Sequence, residues 1–281
     1  MKNIIISLFL ISLTHILSAQ KYPIPQLDWD ALSETKPWEK TENWSIIPQK
    51  VIPGQRITMP PSDAIILFDG ADLDQWQKPK YGIAADLDGT KATVMNASFE
   101  KYPGTKPEWI IKDNVIQVTP GGGNLQTKES FGDVQLHIEW LSPVDEGKEG
   151  QLYSNSGVFF MGLYELQVLN SYENTTYSNG QAGAIYKQSP PLVNASRPPG
   201  EWQVYDIIFN APEFDTNGNC TQKASITAFH NGVLIQNHFE LDGPTFYIGK
   251  GKYFAHEARM PLLLQDHGDK VRFRNIWIRN L

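Results

Sequence analysis

Cysteine is almost missing from this chain: Cys220 stands alone among 281 residues. That excludes an internal disulfide and any multi-cysteine zinc or iron–sulfur site. Basic runs are missing too, and 24 Lys and Arg against 31 Asp and Glu leave a formal charge of -7. A general nucleic-acid binder needs a basic surface to release phosphate counterions, so no nucleic-acid partner is expected. No apolar stretch reaches the ~20 residues that cross a bilayer, so no membrane span is expected. Long segments of 3.6-residue periodicity are also lacking, and no 20–50-residue repeat is apparent. What is plentiful is glycine (22), proline (19) and tryptophan (8). That balance argues against a helical bundle, and the aromatics argue against disorder.

The first residues differ from the rest. Met1-Lys2-Asn3 gives a short positive start, residues 4–17 are mostly apolar apart from Thr14 and His15, and Ser18-Ala19-Gln20 offers small residues for cleavage. Residues 1–19 read as a secretory signal peptide, and the mature protein is expected in the periplasm, on the cell surface or in the medium. A lipoprotein would need cysteine where Gln20 stands. Residues 20–62 carry Trp29, Trp38 and Trp44 amid Pro and Lys, and are expected to form an arm packed on the domain that follows, residues 63–281.

From Asp63 onward short strand-like runs alternate with Gly, Pro, Asn and Asp. They span 64–68, 109–112, 115–118, 134–140, 157–160, 164–169, 203–209, 224–230, 233–239, 262–265 and 271–279. Such spacing predicts an all-β sandwich or barrel. Asn231-Gly232 between two runs predicts a tight hairpin, because a type I′ turn needs positive φ at both positions. Within the runs, apolar and polar residues alternate with period two. Val134, Leu136, Ile138 and Trp140 oppose Gln135, His137 and Glu139; Tyr164, Leu166 and Val168 oppose Glu165 and Gln167. Gln265 and His267 share a side if their strand runs that far. These polar faces are rich in groups that coordinate, accept or transfer protons.

Particular stretches resemble a known family. They are Leu67-Phe68-Asp69-Gly70 with Leu73 and Trp76, Phe131-Gly132-Asp133, Asn155-Ser156-Gly157, Tyr164 to Leu169, Gly183-Ala184-Ile185-Tyr186, Pro199-Gly200-Glu201-Trp202, His230-Asn231-Gly232 and Leu264 to Gly268. In this order, over about residues 64–281, they resemble the secreted 3-keto-disaccharide hydrolase or 3-keto-glycoside lyase domains. The resemblance implies a concanavalin-A-like jelly roll of two curved antiparallel sheets with a sugar site on the concave face. It also implies an oligosaccharide or glycoside substrate.

The chemistry of a 3-keto sugar sets the requirements. Its carbonyl acidifies the C2 proton, and a base that removes it gives an enediolate that expels the C1 substituent; water then adds, for net hydrolysis. The site needs a base near C2 and an electrophile at the enediolate oxygens. A divalent metal would serve as that electrophile. The candidate catalytic residues are His267 (base), Glu139 and Glu165. His137 and Glu139, two apart on one face, are the candidate metal ligands. Asn155, Gln167, Tyr186, Gln265, Asp266 and Arg272 are candidates for binding substrate or ordering the site. A conventional jelly-roll glycosidase and a non-catalytic lectin-like module are the alternatives.

Overall fold

The computed structural model describes residues 28–79, 85–87, 90–92, 104–145 and 147–281. The expected export signal, residues 1–19, lies outside the described residues, as does the start of the arm. The chain divides into two compact units, Met1–Lys50 and Val51–Leu281. In the first, one short helix, α1 (Trp29–Thr35), is capped by Asp28, whose Oδ1 accepts from the amides of Asp30 at 3.2 Å and Ala31 at 3.1 Å. Those bonds satisfy two of the donors a helix start leaves open. Lys36 ends the helix in the left-handed region (φ 42°), and Pro37 opens a 3-10 turn.

The second unit begins at Val51, ahead of the expected boundary at residue 63. Among the described residues its strands are β1 (Ile65–Phe68), β2 (Trp76–Gln77), β3 (Ala85–Leu87), β4 (Thr90–Ala92), β5 (Ile110–Lys112), β6 (Val115–Gln117), β7 (Leu125–Phe131), β8 (Val134–Leu141) and β9 (Ser156–Phe160). They continue as β10 (Tyr164–Val168), β11 (Trp202–Asn210), β12 (Glu213–Phe214), β13 (Cys220–Gln222), β14 (Ser225–His230), β15 (Val233–Glu240), β16 (Met260–Leu264) and β17 (Arg272–Asn280). Eight strands form one sheet in the order β15-β14-β11-β8-β17-β6-β5, with β1 paired to β17. Five form the other, β10-β9-β16-β7-β2, and the pairings within both are antiparallel. The predicted all-β jelly-roll sandwich is the observed fold.

Period-two alternation builds the core. Val134, Leu136, Ile138 and Trp140 of β8 meet Tyr164, Leu166 and Val168 of β10 in one apolar cluster, all fully or almost fully buried. Burying each such side chain stabilises the fold by roughly 1.5–3 kcal/mol relative to leaving it exposed. Trp76 closes the edge of this core, its Nε1 donating to the Leu67 carbonyl at 2.7 Å. Asn231 (φ 52°) and Gly232 (φ 80°) make the predicted hairpin turn, with His230 facing Val233. A consequence for function follows from the same alternation. β8 and β10 sit in different sheets and both turn their apolar sides inward, so their polar sides look out on opposite faces of the sandwich.

Candidate active site

On the outer face of the five-stranded sheet lies a hollow of about 40 Å³ lined by Asn155, Glu165, Gln167, Tyr186, Tyr247, Gln265 and His267. Glu165 and Gln167 come from β10, opposite Phe159 and Gly157 of β9. Gln265 follows β16 directly and is held alongside β9, its amide donating to the Gly157 carbonyl at 3.0 Å while Ser156 Oγ donates to the Gln265 carbonyl at 2.7 Å. Tyr186 and Tyr247 come from loops.

Glu165 is the unusual group. It is buried, its backbone amide donates to Thr245 Oγ1 at 3.0 Å, and the Gln167 amide, turned to satisfy both neighbours, donates to Glu165 Oε1 at 3.0 Å and to the Ser156 carbonyl at 3.1 Å. Burial pushes the Glu165 carboxyl well above the usual carboxylate range, because ionising it would place a charge in a medium that solvates it poorly. Gly157 makes the room: a Cβ there would stand 2.4 Å from Glu165 Oε1 and 2.6 Å from the Phe159 ring. Burial first, then the Tyr177 hydroxyl at 2.7 Å, raises the Tyr186 phenol as well. The hollow therefore favours protonated donors.

His267 differs: it is exposed, and its imidazole makes no hydrogen bond among the described residues. Its loop is pinned at both ends. Asp266 accepts from the amides of Gly123 at 3.0 Å and Gly268 at 2.9 Å, and its own amide donates to Asn124 Oδ1 at 2.8 Å. At the other end the buried Asp269 accepts from the Asn155 amide at 2.8 Å and pairs with Lys148, which also reaches Asp145 at 3.3 Å. Asp266 thus shapes the loop from below, and Asp269 ties His267 to Asn155 across the hollow.

The structure does not bring the other candidates to this place. His137 and Glu139 lie on the outer face of the eight-stranded sheet, so the expected convergence of all four His and Glu side chains in one hollow does not occur. Arg272 turns instead to Gln117 on β6, its Nε donating to Gln117 Oε1 at 3.1 Å. His137 is buried, pairs through Nδ1 with Asp206 Oδ1 at 2.6 Å and stacks on Trp277 with centroids 5.2 Å apart. Glu139 accepts from Asn275 at 2.8 Å and from Arg274 Nε at 2.7 Å. A bulge in β17 after Arg274 supplies the extra residue that turns Asn275 (φ 46°) onto this face. Asn275 and Trp277 both donate to the Thr58 carbonyl, at 2.9 and 3.2 Å, fastening the 51–62 segment across the cluster.

Those bonds leave the pair ill suited to a metal: a guanidinium lies against the carboxylate, and Asn275 Nδ2 stands 3.2 Å from His137 Nε2, the nitrogen that Asp206 leaves free. Among the described residues no group of three or more His, Cys, Asp or Glu side chains is arranged to hold an ion. Among the described residues the donors on either face do not make a metal centre.

This cluster stabilises the fold instead. Burial opposes ionisation of Glu139, but bonds from His137, Asn275 and Arg274 outweigh it and bring its pKa from 4.5 to about 2. The carboxylate's contribution is therefore present above pH 4.5 and lost as the pH falls toward 2. Burial lowers the His137 pKa, but Asp206 and Glu139 outweigh it and leave it raised above 6.5, so its contribution is lost as pH rises through the raised value. Urea unfolding of Glu139→Gln should show lower stability at pH 7 and a flatter acid decline between pH 4.5 and 2. Coincident acid slopes in variant and parent would remove Glu139 from this role. His230 is likewise structural: buried between Trp140 and Tyr205, it is pushed down to about 3 by burial.

Sequence reasoning did not reach Tyr247, Lys148 or Asp269, and it named Gly157 only within the Asn155-Ser156-Gly157 stretch, not as the residue that makes room for Glu165. Only Asp269 left a signal, as a second carboxylate flanking His267.

Residues 63–279 match the model of the 3-keto-alpha-glucoside-1,2-lyase-like domain. A protein from Parabacteroides distasonis ATCC 8503, solved as a candidate glycosyl hydrolase, is 42% identical, with a TM-score of 0.75 over 86% of this chain and 96% of that one. Another candidate glycosyl hydrolase from the same organism, 18% identical with a TM-score of 0.52 over 78% and 94%, shares the fold. No curated protein matches the sequence.

Proposed function

The chain belongs to the family of 3-keto-alpha-glucoside-1,2-lyase-like domains, and on that premise we propose that it is an exported enzyme that cleaves 3-keto-glycosides by elimination and hydration. The observation that carries the reading is the contrast within one hollow between Glu165, buried and held protonated, and His267, open to solvent. Two titratable groups in unlike surroundings suit a proton donor and a proton acceptor.

His267 takes the C2 proton, and the electrons of the C2–H bond pass into the enediolate. That intermediate forms the C1=C2 double bond as the C1–O bond breaks, and Glu165 gives its proton to the departing oxygen. Water then adds across C1=C2, releasing the 3-keto sugar. Asn155, Gln167 and Gln265 supply neutral donors and acceptors for hydroxyls and the carbonyl, as hydrogen-bonding amides do. Export rests on the charged, apolar and small residues of positions 1–19.

A conventional glycosidase needs two carboxyl groups about 5–9.5 Å apart. Among the described residues Glu165 is the one carboxyl group lining this hollow, and Glu139 is on the other face. A lectin-like module gains nothing from a carboxyl kept neutral by burial. The test is to incubate the protein with a 3-keto-glucoside and the matching plain glucoside. Cleavage of the keto compound alone is expected; cleavage of the plain glucoside would establish the glycosidase, and cleavage of neither the binding module.

A further inference from the structure

The hollow is small, at about 40 Å³. A glycoside whose reacting carbons reach into it must leave most of its bulk at the rim. There Tyr247 stands 56% exposed, and beside it lies Lys187. The Lys187 ammonium is 3.9 Å from the centroid of the Tyr177 ring, 5.4 Å from that of Tyr186 and 5.9 Å from that of Tyr247. Tyr186 and Tyr247 both line the hollow.

The cage is built rather than incidental. Tyr177 and Tyr186 are tied through their hydroxyls at 2.7 Å, and the Tyr177 ring packs so closely on Gly180 that a Cβ there would stand 2.0 Å away. The Lys187 backbone is left-handed (φ 64°), a conformation that costs most L-residues free energy, and its amide donates to the Asn179 carbonyl at 2.9 Å. Lys187 is a partly buried residue, and among the described residues its ammonium has no carboxylate partner and no hydrogen bond; ring faces are its company. Aromatic faces attract a cation but do not neutralise it. Among the described residues no Lys or Arg lines the hollow itself.

We propose that Lys187, framed by Tyr177, Tyr186 and Tyr247, is an anion subsite that takes a carboxylate, sulfate or phosphate on the leaving-group side of the substrate. The proposal rests on the reading of the hollow as the site of cleavage. A charge set against ring faces without a counter-ion gains more from an incoming anion than a freely solvated lysine does, because the rings displace part of its water. A neutral leaving group has nothing to offer it.

The test uses 3-keto-glucosides with matched leaving groups: a neutral hexose, the same sugar carrying a carboxylate, and the same sugar carrying sulfate or phosphate. The protein is expected to favour the anionic substrates by about ten-fold in kcat/KM, mostly through KM, with the advantage shrinking as salt is added; ten-fold corresponds to about 1.4 kcal/mol. Lys187→Met should bring the ratio to about one, and Lys187→Arg should keep most of it. Which anion gains most identifies the source. Equal rates on neutral and anionic substrates, or a preference that survives in Lys187→Met, would overturn the subsite. Binding of methyl glucuronide against methyl glucoside, followed by tyrosine ring shifts in NMR, separates the two readings. Selective, Lys187-dependent binding without cleavage would keep the subsite and sink the reaction, and no selectivity would sink the subsite alone.

Discussion

Glu165→Ala is expected to lower turnover of a 3-keto-glucoside by about 10³-fold, within the 10²–10⁴ that a positioned acid or base contributes. The carboxyl is buried beside Gln167, so its proton is held by poor solvation of the anion and remains available to a leaving oxygen. Raising the pH through the elevated Glu165 pKa removes that proton, and activity should fall along with it. Glu165→Gln keeps the shape and an N–H donor without an acidic proton, so it should be nearly as slow as Glu165→Ala and lack the alkaline limb. Stability changes with the same sign: the folded pKa is raised, so the native state loses stability as pH rises above 4.5 through the folded value. Glu165→Gln should therefore be less sensitive to alkaline unfolding than the parent. Gly157→Ala gives an independent approach, since its Cβ would stand 2.4 Å from Glu165 Oε1 and 2.6 Å from the buried Phe159 ring, so the carboxyl and the ring must both shift. A folded Gly157→Ala protein should be at least ten-fold slower. Parent-like kcat in Glu165→Ala, at any pH, would remove this residue from the chemistry.

Much of the sandwich could be read from periodicity. Each of the eleven strand-like runs overlaps an observed strand, and Asn231-Gly232 turns as its residue types require. β7 escaped, because Lys128-Glu129 interrupts its pattern and its pairing with β16 shifts register between Pro261 and Leu263. The site was legible only in part, for a physical reason. A period of two reports which face of a strand a side chain occupies, but not which sheet the strand joins. His137 and Glu139 look locally like Glu165 and Gln167, yet pairing with β11 and β17 places β8 in the other sheet. Asp206, which commits His137 to a structural role, lies 69 positions away and is brought alongside only by that pairing. Tyr247 carries no pattern at all, since a loop residue at a rim is chosen by the fold around it.

His267→Ala should likewise cost about 10²–10³-fold in turnover, and should do so at the proton-transfer step rather than in binding. A 3-keto sugar with no leaving group at C1 isolates that step: in deuterated water its C2 hydrogen exchanges only as fast as a base removes it. The parent should speed this exchange, and His267→Ala should lose most of the acceleration while KM for a cleavable substrate changes little. Because the imidazole is exposed and unpartnered among the described residues, added imidazole can enter its place and should restore part of the rate. Loosening the loop gives a graded version of the same loss. Asp269 holds the Asn155 amide at 2.8 Å and pairs with Lys148, so Asp269→Asn and Lys148→Met let His267 wander without removing it. Each should reduce exchange by about ten-fold, as a misplaced catalytic group does, and neither should respond to imidazole, since the native base still occupies its place. Undiminished exchange in His267→Ala would mean that the proton leaves to another group, and Glu165, the other titratable carboxyl or imidazole lining the hollow, would then have to act as base, reversing the pH dependence argued for it above.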